Sequence, residues 1–370
     1  MMFYIKNFMV NRIIFLLLCQ AILGLLSCST QRPTIILSTS PQAMQVSNHS
    51  QMPISEPSQL FPISQNGKWG YINSTGQILI KPKFDETGQF SEELATVRIG
   101  DKWSYIDKTG QIVIESDFDS AYSFYEGLAA VDIDGKMGYI NKTGKLVIPP
   151  QFDLTYRFSE GLAAVDIDGK MGYINKTGQI VIKPQFNEAR EFSKGLALVR
   201  LDRRVSYINK IGQIVINPSS NLVREFSEGL AAVRVGDKVG YIDTTGRIVI
   251  EPQFDEGYDF SEGLAVVATG MISAESKPPN MTNVKWGYID KTGKMVIDPQ
   301  FKERPINFSE GLAAVKIEDK WGYINKTGQI VIEPQFDWAS IFIEGLAWVK
   351  IGEKQGYIDK KGKYVWNPTN

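Results

Sequence analysis

The sequence predicts an all-β protein made of nine tandem repeats, each about 34 residues long and each a three-stranded meander followed by a loop. A Gly/Ser-Tyr-Ile tripeptide recurs nine times with nearly constant spacing. Its tyrosines are Tyr71, Tyr105, Tyr139, Tyr173, Tyr207, Tyr241, Tyr288, Tyr323 and Tyr357. A glycine stands five residues after each tyrosine and marks a turn at the same place in every repeat. Each repeat has two glycine turns and no apolar run at 3.6-residue spacing, which excludes a helical repeat of this length.

One repeat, residues 161–193, illustrates the predicted elements in chain order. Its three strands cover 162–167, 171–175 and 179–182. Asp168-Gly169 indicates a hairpin between the first two strands, and the four residues from Asn175 form a turn that ends in glycine. Pro184 stops the third strand, because proline has no N–H to donate to a β-ladder. The remaining residues are predicted to form a return loop.

The arrangement of the repeats follows from their apolar faces. Both faces of each predicted sheet are apolar, so neighbouring repeats have to cover them. We expect an open, superhelical, solenoid-like array, with a closed ring like a β-propeller as the alternative. The residue before Gly/Ser-Tyr is apolar in eight repeats and polar only in the last, at Gln355, as expected of an exposed end. The repeat region also starts and stops in the same phase, whereas a ring often completes its last blade with its first strand.

Composition excludes several classes of function. The chain has 40 lysines and arginines against 41 acidic residues, so no overall positive field attracts nucleic acid. The single histidine, His49, and the two cysteines, Cys19 and Cys28, all precede the repeats. The repeats therefore lack the residues of Ser-His-Asp and Cys-His catalytic sites and of Cys/His zinc sites. We predict neither a cofactor nor a metal.

The N-terminal part of the chain predicts an exported, lipid-anchored protein. A basic segment precedes an apolar run at 13–26, which is too short to span a bilayer and is typical of a signal peptide. Leu-Leu-Ser-Cys at 25–28 resembles the bacterial lipobox, which implies lipidation of Cys28; an ordinary cleaved signal or an uncleaved anchor is the alternative. We predict a signal peptide at 1–27, a flexible tether at 28–59 and the repeat domain at 60–370. Ser29 is not acidic, which by resemblance to bacterial sorting signals favours the outer membrane.

Two recurring motifs carry a family resemblance. They are Lys-Trp-Gly-Tyr-Ile at 68–72, 285–289 and 320–324, and Phe-Ser-Glu-Gly-Leu-Ala-Ala-Val at 226–233 and 308–315. Together they resemble the bacterial WG (KWG) repeat family over nearly all of the repeat region. Ser104 and Ser206 depart from the pattern, and five repeats lack the tryptophan. The resemblance implies an all-β repeat protein, often exported and usually without a known activity, and it transfers no catalytic residue.

Recurring carboxylates are candidates for structure rather than for chemistry. Glutamates occupy matched places in the Phe-Ser-Glu-Gly motif, at Glu160, Glu228, Glu262 and Glu310. Such recurrence predicts a structural role in ordering the loop, with a carboxylate row for cations or polysaccharide as the alternative. No two acids stand out as a glycosidase pair. Asp166-Ile-Asp168-Gly169 and its copy at 132–135 hint at calcium, but the next strand follows at once, so we predict a hairpin turn.

Two irregular features are candidate binding sites. An insertion at about 269–282 lengthens the seventh repeat, and Gly270, Pro278 and Pro279 mark it as a loop. It is either a tolerated insertion or a ligand loop. The last repeat carries three tryptophans outside the Trp-Gly position, at Trp338, Trp348 and Trp366. These tryptophans predict either a hydrophobic end cap or an aromatic platform for sugar or peptide.

We expect a non-catalytic protein of the bacterial envelope that offers a binding or scaffold surface to a protein or polysaccharide partner. An enzyme that acts on polysaccharide through carboxylates and a purely structural spacer are the alternatives. The return loops differ between repeats, at 85–89, 119–123, 153–157, 187–191 and 337–341. Variable loops on a constant frame favour recognition over spacing.

Overall fold

The computed structural model describes residues 59–218, 223–270 and 284–369. Within them the chain forms nine separate antiparallel sheets, which we call blades 1 to 9 in chain order. The signal peptide, Cys28, nearly all of the tether, Pro278 and Pro279 lie outside the described residues. In the described part of the chain, no helix is both long enough and apolar enough to cross a membrane.

A complete blade has four strands, which we call A, B, C and D in chain order. Blades 1, 6 and 8 show only B, C and D among the described residues. Blades 1 to 3 contain β1 (Phe61–Gln65), β2 (Lys68–Ile72), β3 (Ile78–Phe84); β4 (Glu86–Thr87), β5 (Ala95–Ile99), β6 (Lys102–Ile106), β7 (Ile112–Phe118); β8 (Ser120–Ala121), β9 (Leu128–Ile133), β10 (Lys136–Asn141) and β11 (Leu146–Phe152). Blades 4 to 6 contain β12 (Leu154–Thr155), β13 (Leu162–Ile167), β14 (Lys170–Asn175), β15 (Ile180–Phe186); β16 (Glu188–Ala189), β17 (Ala197–Leu201), β18 (Arg204–Ile208), β19 (Ile214–Ile216); β20 (Leu230–Val235), β21 (Lys238–Asp243) and β22 (Ile248–Phe254). Blades 7 to 9 contain β23 (Glu256–Gly257), β24 (Leu264–Thr269), β25 (Lys285–Asp290), β26 (Met295–Phe301); β27 (Leu312–Ile317), β28 (Lys320–Asn325), β29 (Ile330–Phe336); β30 (Trp338–Ile343), β31 (Leu346–Ile351), β32 (Lys354–Asp359) and β33 (Tyr364–Thr369).

The predicted return loop contributes a fourth strand in most blades. In blade 4 the short strand β12 pairs with β13, with Thr155 opposite Val165. The chain then stays beside β13, because Tyr156 donates its N–H to the carbonyl of Ala164 at 2.9 Å. The three-stranded unit of the sequence prediction is therefore one strand short. A two-residue strand carries no apolar alternation by which it could have been recognised.

Two hairpins join strands A, B and C, and both need left-handed backbone. In blade 4 the first hairpin turns at Glu160-Gly161, with φ of 52° and 85°, and the second at Asp168-Gly169, with φ of 54° and 76°. Positive φ at both central residues is the requirement of a type I′ turn, which matches the twist of the strands it joins. The second hairpin confirms the sequence prediction. The first was missed because glutamate seldom adopts positive φ.

The turn between strands C and D is held by its first side chain. In blade 4 the Oδ1 atom of Asn175 accepts the N–H groups of Thr177 and Gln179, both at 3.0 Å, and the Thr177 hydroxyl at 2.8 Å. This geometry explains why each repeat has Asn or Asp at this position, and it confirms the predicted turn.

Each blade packs face to face on the next, as the two apolar faces predict. Tyr173 of blade 4 donates its hydroxyl to the carbonyl of Arg190 in blade 5 at 2.7 Å, and its ring lies 4.9 Å from that of Phe192. The same tyrosine–phenylalanine pair recurs at every seam from blades 1/2 to blades 8/9. The repeated tyrosine is therefore the anchor between blades, and its hydroxyl is hydrogen-bonded when buried, as such groups require.

The array is a closed nine-bladed ring, so the expectation of an open superhelix is wrong and the propeller-like alternative is correct. Tyr357 of blade 9 donates its hydroxyl to the carbonyl of Pro62 in blade 1 at 2.9 Å, and its ring lies 5.5 Å from that of Phe61. Gln355 does not mark an exposed end. Its side chain accepts the indole N–H of Trp348 at 3.2 Å.

Among the described residues, which begin at 59, blade 1 has no strand A, and two residues of β1 differ from their counterparts in blade 4. Phe61 stands where blade 4 has Ala163, and it supplies the ring that a strand A phenylalanine supplies at the other seams. Pro62 stands where blade 4 has Ala164, whose carbonyl accepts an N–H from strand A. At Pro62 the carbonyl instead accepts the Tyr357 hydroxyl, and the nitrogen carries no hydrogen. A further strand therefore has no free N–H or C=O group to pair with at Pro62. The repeat region can thus start and stop at the same point of the repeat and still form a closed ring.

Candidate functional site at the A-strand segments of blades 4 to 8

A recurring contact, which we call the latch, joins neighbouring blades next to the first hairpin. In blade 4 the Oε2 atom of Glu160 accepts the N–H of Gly195 at 3.0 Å and lies 3.0 Å from the Nζ atom of Lys210, both in blade 5. The predicted structural role of the repeated glutamates is therefore confirmed. Equivalent latches are formed by Glu92, Glu126, Glu228, Glu262 and Glu310.

The seam between blades 5 and 6 lacks this latch in the part of the chain that the structure describes. Lys194 stands in the place of the glutamate, and Thr244 stands in the place of the lysine. Both partners of the ion pair have changed together. Strand D of blade 5, β19, is also the shortest of the D strands. The Tyr207–Phe226 ring pair remains, with centroids 4.6 Å apart.

Building the latch into this seam is expected to stabilise the protein. The double variant Lys194→Glu/Thr244→Lys should raise the free energy of unfolding by about 1 kcal/mol, because it adds a charge-assisted hydrogen bond to the Gly229 N–H and a largely exposed ion pair. Denaturant unfolding measures the change. The reciprocal variant Glu160→Lys/Lys210→Thr, which removes the latch between blades 4 and 5, should lose a similar amount. Equal stability of both variants and the wild type would contradict the role of the latch.

In each blade we call the stretch before strand B that ends at the phenylalanine packed on the blade-to-blade tyrosine the A-strand segment, whether or not it forms a strand A. Charged side chains collect on these segments on both sides of this seam. We call them the A-edge cluster: Arg157, Arg190, Glu191, Arg224, Glu225, Asp259 and Arg304. All but Arg304 occupy the two positions before the phenylalanine that packs on the blade-to-blade tyrosine. Blades 2, 3 and 9 carry uncharged residues at these positions: Gly88, Gln89, Tyr122, Ser123, Ser340 and Ile341. At these two positions, charged side chains are therefore confined to one arc of the ring.

One ion pair of the cluster is well shielded from solvent. The Nη2 atom of Arg157 lies 2.6 Å from the Oε2 atom of Glu191, and each side chain is 17% exposed. The Arg157 guanidinium also lies over the ring of Tyr125, 4.7 Å from its centroid. Burial raises the pKa of Glu191; the Arg157 charge opposes the rise and the Glu225 charge adds to it. Side chains at the same position of neighbouring A-strand segments can thus form an ion pair with each other.

At the other end of the cluster, one oxygen of a buried carboxyl group has no hydrogen-bond partner among the described residues. Two guanidinium groups, those of Arg224 and Arg304, lie 4.0 and 4.3 Å from the ring centroid of Tyr258. Arg224 directs its Nε donor to the carbonyl of Gly257, at 2.9 Å. The Oδ1 atom of Asp259 is enclosed and has no hydrogen-bond partner among the described residues. Burial raises the pKa of Asp259 from 3.8 to about 6, although both arginines act against the rise.

A small cavity lies between these two regions, at the unlatched seam. Its volume is about 10 Å³, and its lining includes Glu191, Ser193, Tyr207 and Glu225. That volume is sufficient for one water-sized group. Polar and apolar side chains from two blades therefore line this space together.

The three tryptophans that the sequence predicted as a binding site lie at two different places in the structure. Trp338 is 38% exposed, and its ring lies 5.2 Å from that of Trp321 in blade 8. Trp348 and Trp366 instead both pack against the buried apolar cluster at the seam between blades 9 and 1. A closed ring has no end to cap, and the binding role of these tryptophans stays a prediction. Gly270 is exposed at the edge of the insertion, with φ of 94°.

Sequence analysis did not identify the A-edge cluster, although it named the segments 153–157 and 187–191 as variable. The paired departures at Lys194 and Thr244 were a second signal. Among the described residues, no group of three or more His, Cys, Asp or Glu side chains is arranged to hold a metal ion.

Comparison with known proteins gives one family and a shared fold. The family model described as "WG containing repeat" matches residues 69–103, 103–136, 137–170, 171–203, 206–238, 240–270, 286–321 and 321–354. No curated protein sequence matches the chain. A crystal structure of the eukaryotic initiation factor has 12% identity and a TM-score of 0.60, with 84% of this chain and 96% of that chain covered. Dihydro-heme d1 dehydrogenase NirN has 13% identity and a TM-score of 0.45, with 85% and 74% covered. At such identities the first likeness indicates the fold alone.

Proposed function

Because the chain belongs to the family of WG-containing repeat proteins, we propose that it is a non-catalytic ring that binds a partner through the A-edge cluster. The observation that carries the proposal is the place at which the repeats differ in sequence from one another. Repeats that are nearly identical elsewhere differ at the A-strand segments, and those segments bring charges of both signs to one arc of the ring. A purely structural spacer needs no such asymmetry between its repeats.

The charge pattern favours a protein partner. Arg190 is 34% exposed and Glu225 is 52% exposed, with 4.0 Å between the Nε and Oε1 atoms, so both charges are accessible to a second molecule. Exposed charges of both signs give specificity and fast association with a surface of complementary charge. A polysaccharide partner remains the second candidate, because the tryptophans of blade 9 offer an exposed indole at Trp338.

We place this binding ring on the bacterial cell envelope. Lipidation of Cys28 would hold the chain at a membrane, with the outer membrane favoured, and the 28–59 tether would give the ring a reach of roughly 30 Å. Tethering raises the effective concentration of the ring near other envelope components. Modest affinity at the A-edge cluster would then suffice for stable association.

The proposal is tested by cross-linking in intact cells, followed by affinity capture and mass spectrometry. We expect one dominant protein adduct with the wild type, and its loss with Arg190→Gln/Glu225→Gln and with Cys28→Ala. The matched control is Glu188→Gln/Arg200→Gln, which removes an ion pair of 3.4 Å on blade 5, the blade of Arg190, but outside the cluster. Equal adducts from all ring variants would contradict the proposed site. Recovery in the polysaccharide fraction instead would identify a glycan-binding protein.

A further inference from the structure

The seam between blades 5 and 6 lacks a second contact besides the latch. Across the seam between blades 4 and 5, the Ser159 hydroxyl donates to the carbonyl of Phe192 at 2.7 Å. Equivalent bonds cross the seams between blades 2/3, 6/7, 7/8 and 8/9. Ser193 and Phe226, both within the described part of the chain, do not form this bond, and both line the small cavity at the seam. Blade 5 is therefore held to blade 6 by fewer contacts than to blade 4.

The charged side chains show the same difference between these two seams. Arg157 and Glu191 pair across the seam between blades 4 and 5, with 2.6 Å between the Nη2 and Oε2 atoms. Arg190 and Glu225 face each other across the seam between blades 5 and 6, with 4.0 Å between the Nε and Oε1 atoms. The longer distance is beyond that of a hydrogen bond, so this pair adds little to the cohesion of the seam.

The seam between blades 9 and 1, which we call the closing seam, lacks the same two contacts. Glu344 holds the place of the latch glutamate, but Ser74 replaces the lysine, so the latch ion pair cannot form. Ile343 replaces the serine whose hydroxyl would cross the seam. At every other seam the chain runs directly from one blade to the next, whereas noncovalent contacts alone join blade 9 to blade 1.

These two seams lie on opposite sides of the ring. Blades 1 to 5 lie between them on one side and blades 6 to 9 on the other, which is as even a division as nine blades allow. Within each group the latch crosses every seam except that between blades 1 and 2, where Ser58 replaces the glutamate. There the chain itself joins the blades, and Tyr71 donates its hydroxyl to the carbonyl of Gly88 at 2.6 Å. Contacts within the two groups are thus stronger than contacts between them.

We infer that the ring opens at the closing seam by bending at the seam between blades 5 and 6, which we call the hinge. A closed ring parts at one seam only when it bends on the opposite side. Proteins open locally where few buried contacts hold them, and hinges lie between groups of elements that stay rigid. The inference goes beyond the proposed function and does not depend on it. The A-edge cluster spans the hinge, so opening would change the separation of Arg190 and Glu225.

The test is cysteine labelling under native conditions at one position of strand C in three blades. Ile72, Ile242 and Ile208 hold equivalent places at the closing seam, at the hinge and at the latched seam between blades 4 and 5, and they are 0%, 3% and 0% exposed. Each is changed to cysteine in the full chain that carries Cys19→Ser and Cys28→Ser, and the rate of reaction with dithionitrobenzoate is measured. We expect Ile72→Cys and Ile242→Cys to react at least about fivefold faster than Ile208→Cys, the factor that one lost contact of modest strength produces. Below the unfolding transition these two rates should hardly change with urea, because opening of a seam exposes much less surface than unfolding.

A second measurement tests whether the two seams move together. The variant Lys194→Glu/Thr244→Lys builds the latch into the hinge, on the opposite side of the ring from the closing seam. We expect it to slow the labelling of Ile72→Cys about fivefold, because the closing seam cannot part without bending at the hinge. The control Glu188→Gln/Arg200→Gln changes an ion pair within blade 5 and should leave this rate unchanged.

Three results would overturn the inference: equal labelling at all three positions, fast labelling at the hinge but not at the closing seam, or a hinge latch that leaves the rate of Ile72→Cys unchanged. Exchange of isoleucine for cysteine removes core volume, so a second pair repeats the comparison with less disturbance. Ala231→Cys at the hinge and Ala197→Cys at the seam between blades 4 and 5 replace equivalent alanines that are each 1% exposed. Equal rates for these two variants would also contradict the hinge.

Discussion

Replacing Phe61 with alanine is expected to lower the free energy of unfolding by about 3–5 kcal/mol. The side chain is only 6% exposed, and its ring packs against Tyr357 across the seam between blades 1 and 9. The variant loses the transfer free energy of the ring and leaves a cavity at the place where the two ends of the array meet. Unfolding in denaturant, followed by tryptophan fluorescence, measures the loss.

The matched control for Phe61→Ala is Leu79→Ala in the same blade, where the side chain is 37% exposed and should lose less than about 1 kcal/mol. In an open array Phe61 would stand at a free end without Tyr357. A loss no larger than that of the control would therefore argue against the closed ring.

Replacing Gly172 with alanine is expected to destabilise the protein by about 1–3 kcal/mol. A Cβ atom at Gly172 would lie 2.7 Å from the carbonyl oxygen of Ile182 and 2.8 Å from the nitrogen of Pro184. Both atoms belong to the backbone of β15, so no side chain can rotate away and the strand itself must move. Thermal and denaturant unfolding check the loss.

The chain contains a matched control for this glycine. Ser104 occupies the same place in blade 2, where a Cβ atom is already accommodated, so Ser104→Ala should change the stability by less than about 0.5 kcal/mol. Equal effects of Gly172→Ala and Ser104→Ala would show that close approach of strands C and D does not explain the repeated glycine.

The parts of the fold that could be predicted are those fixed by local chemistry. The Asn175 turn and the Asp168-Gly169 hairpin each depend on a few adjacent residues, and the sequence identified both. Closure of the ring depends on the small rotation between blades summed over all seams, which no single repeat shows. The only local signs of closure were Phe61 and Pro62 in place of two alanines. Their role is clear only from their contacts with Tyr357 of blade 9.

The candidate site was harder to predict than the fold, because its members are distant in sequence. Arg157 and Glu191 are 34 residues apart, and each alone looks like an ordinary charged residue of a loop. Stacking of the blades places them in contact. The absent latch at Lys194 was visible as a departure from the repeat, but the purpose of the glutamate became clear only when its contacts with the next blade were known.

The most direct test of the central claim is site-specific photo-cross-linking in intact cells, with the photoreactive amino acid placed at Arg190 in one variant and at Tyr122 in the other. The two residues hold equivalent positions on the A-strand segments of blades 5 and 3, inside and outside the A-edge cluster. We predict a discrete protein adduct from position 190 and none from position 122. Adducts of equal yield from both positions, or from position 122 alone, would contradict the assignment of partner binding to this arc of the ring.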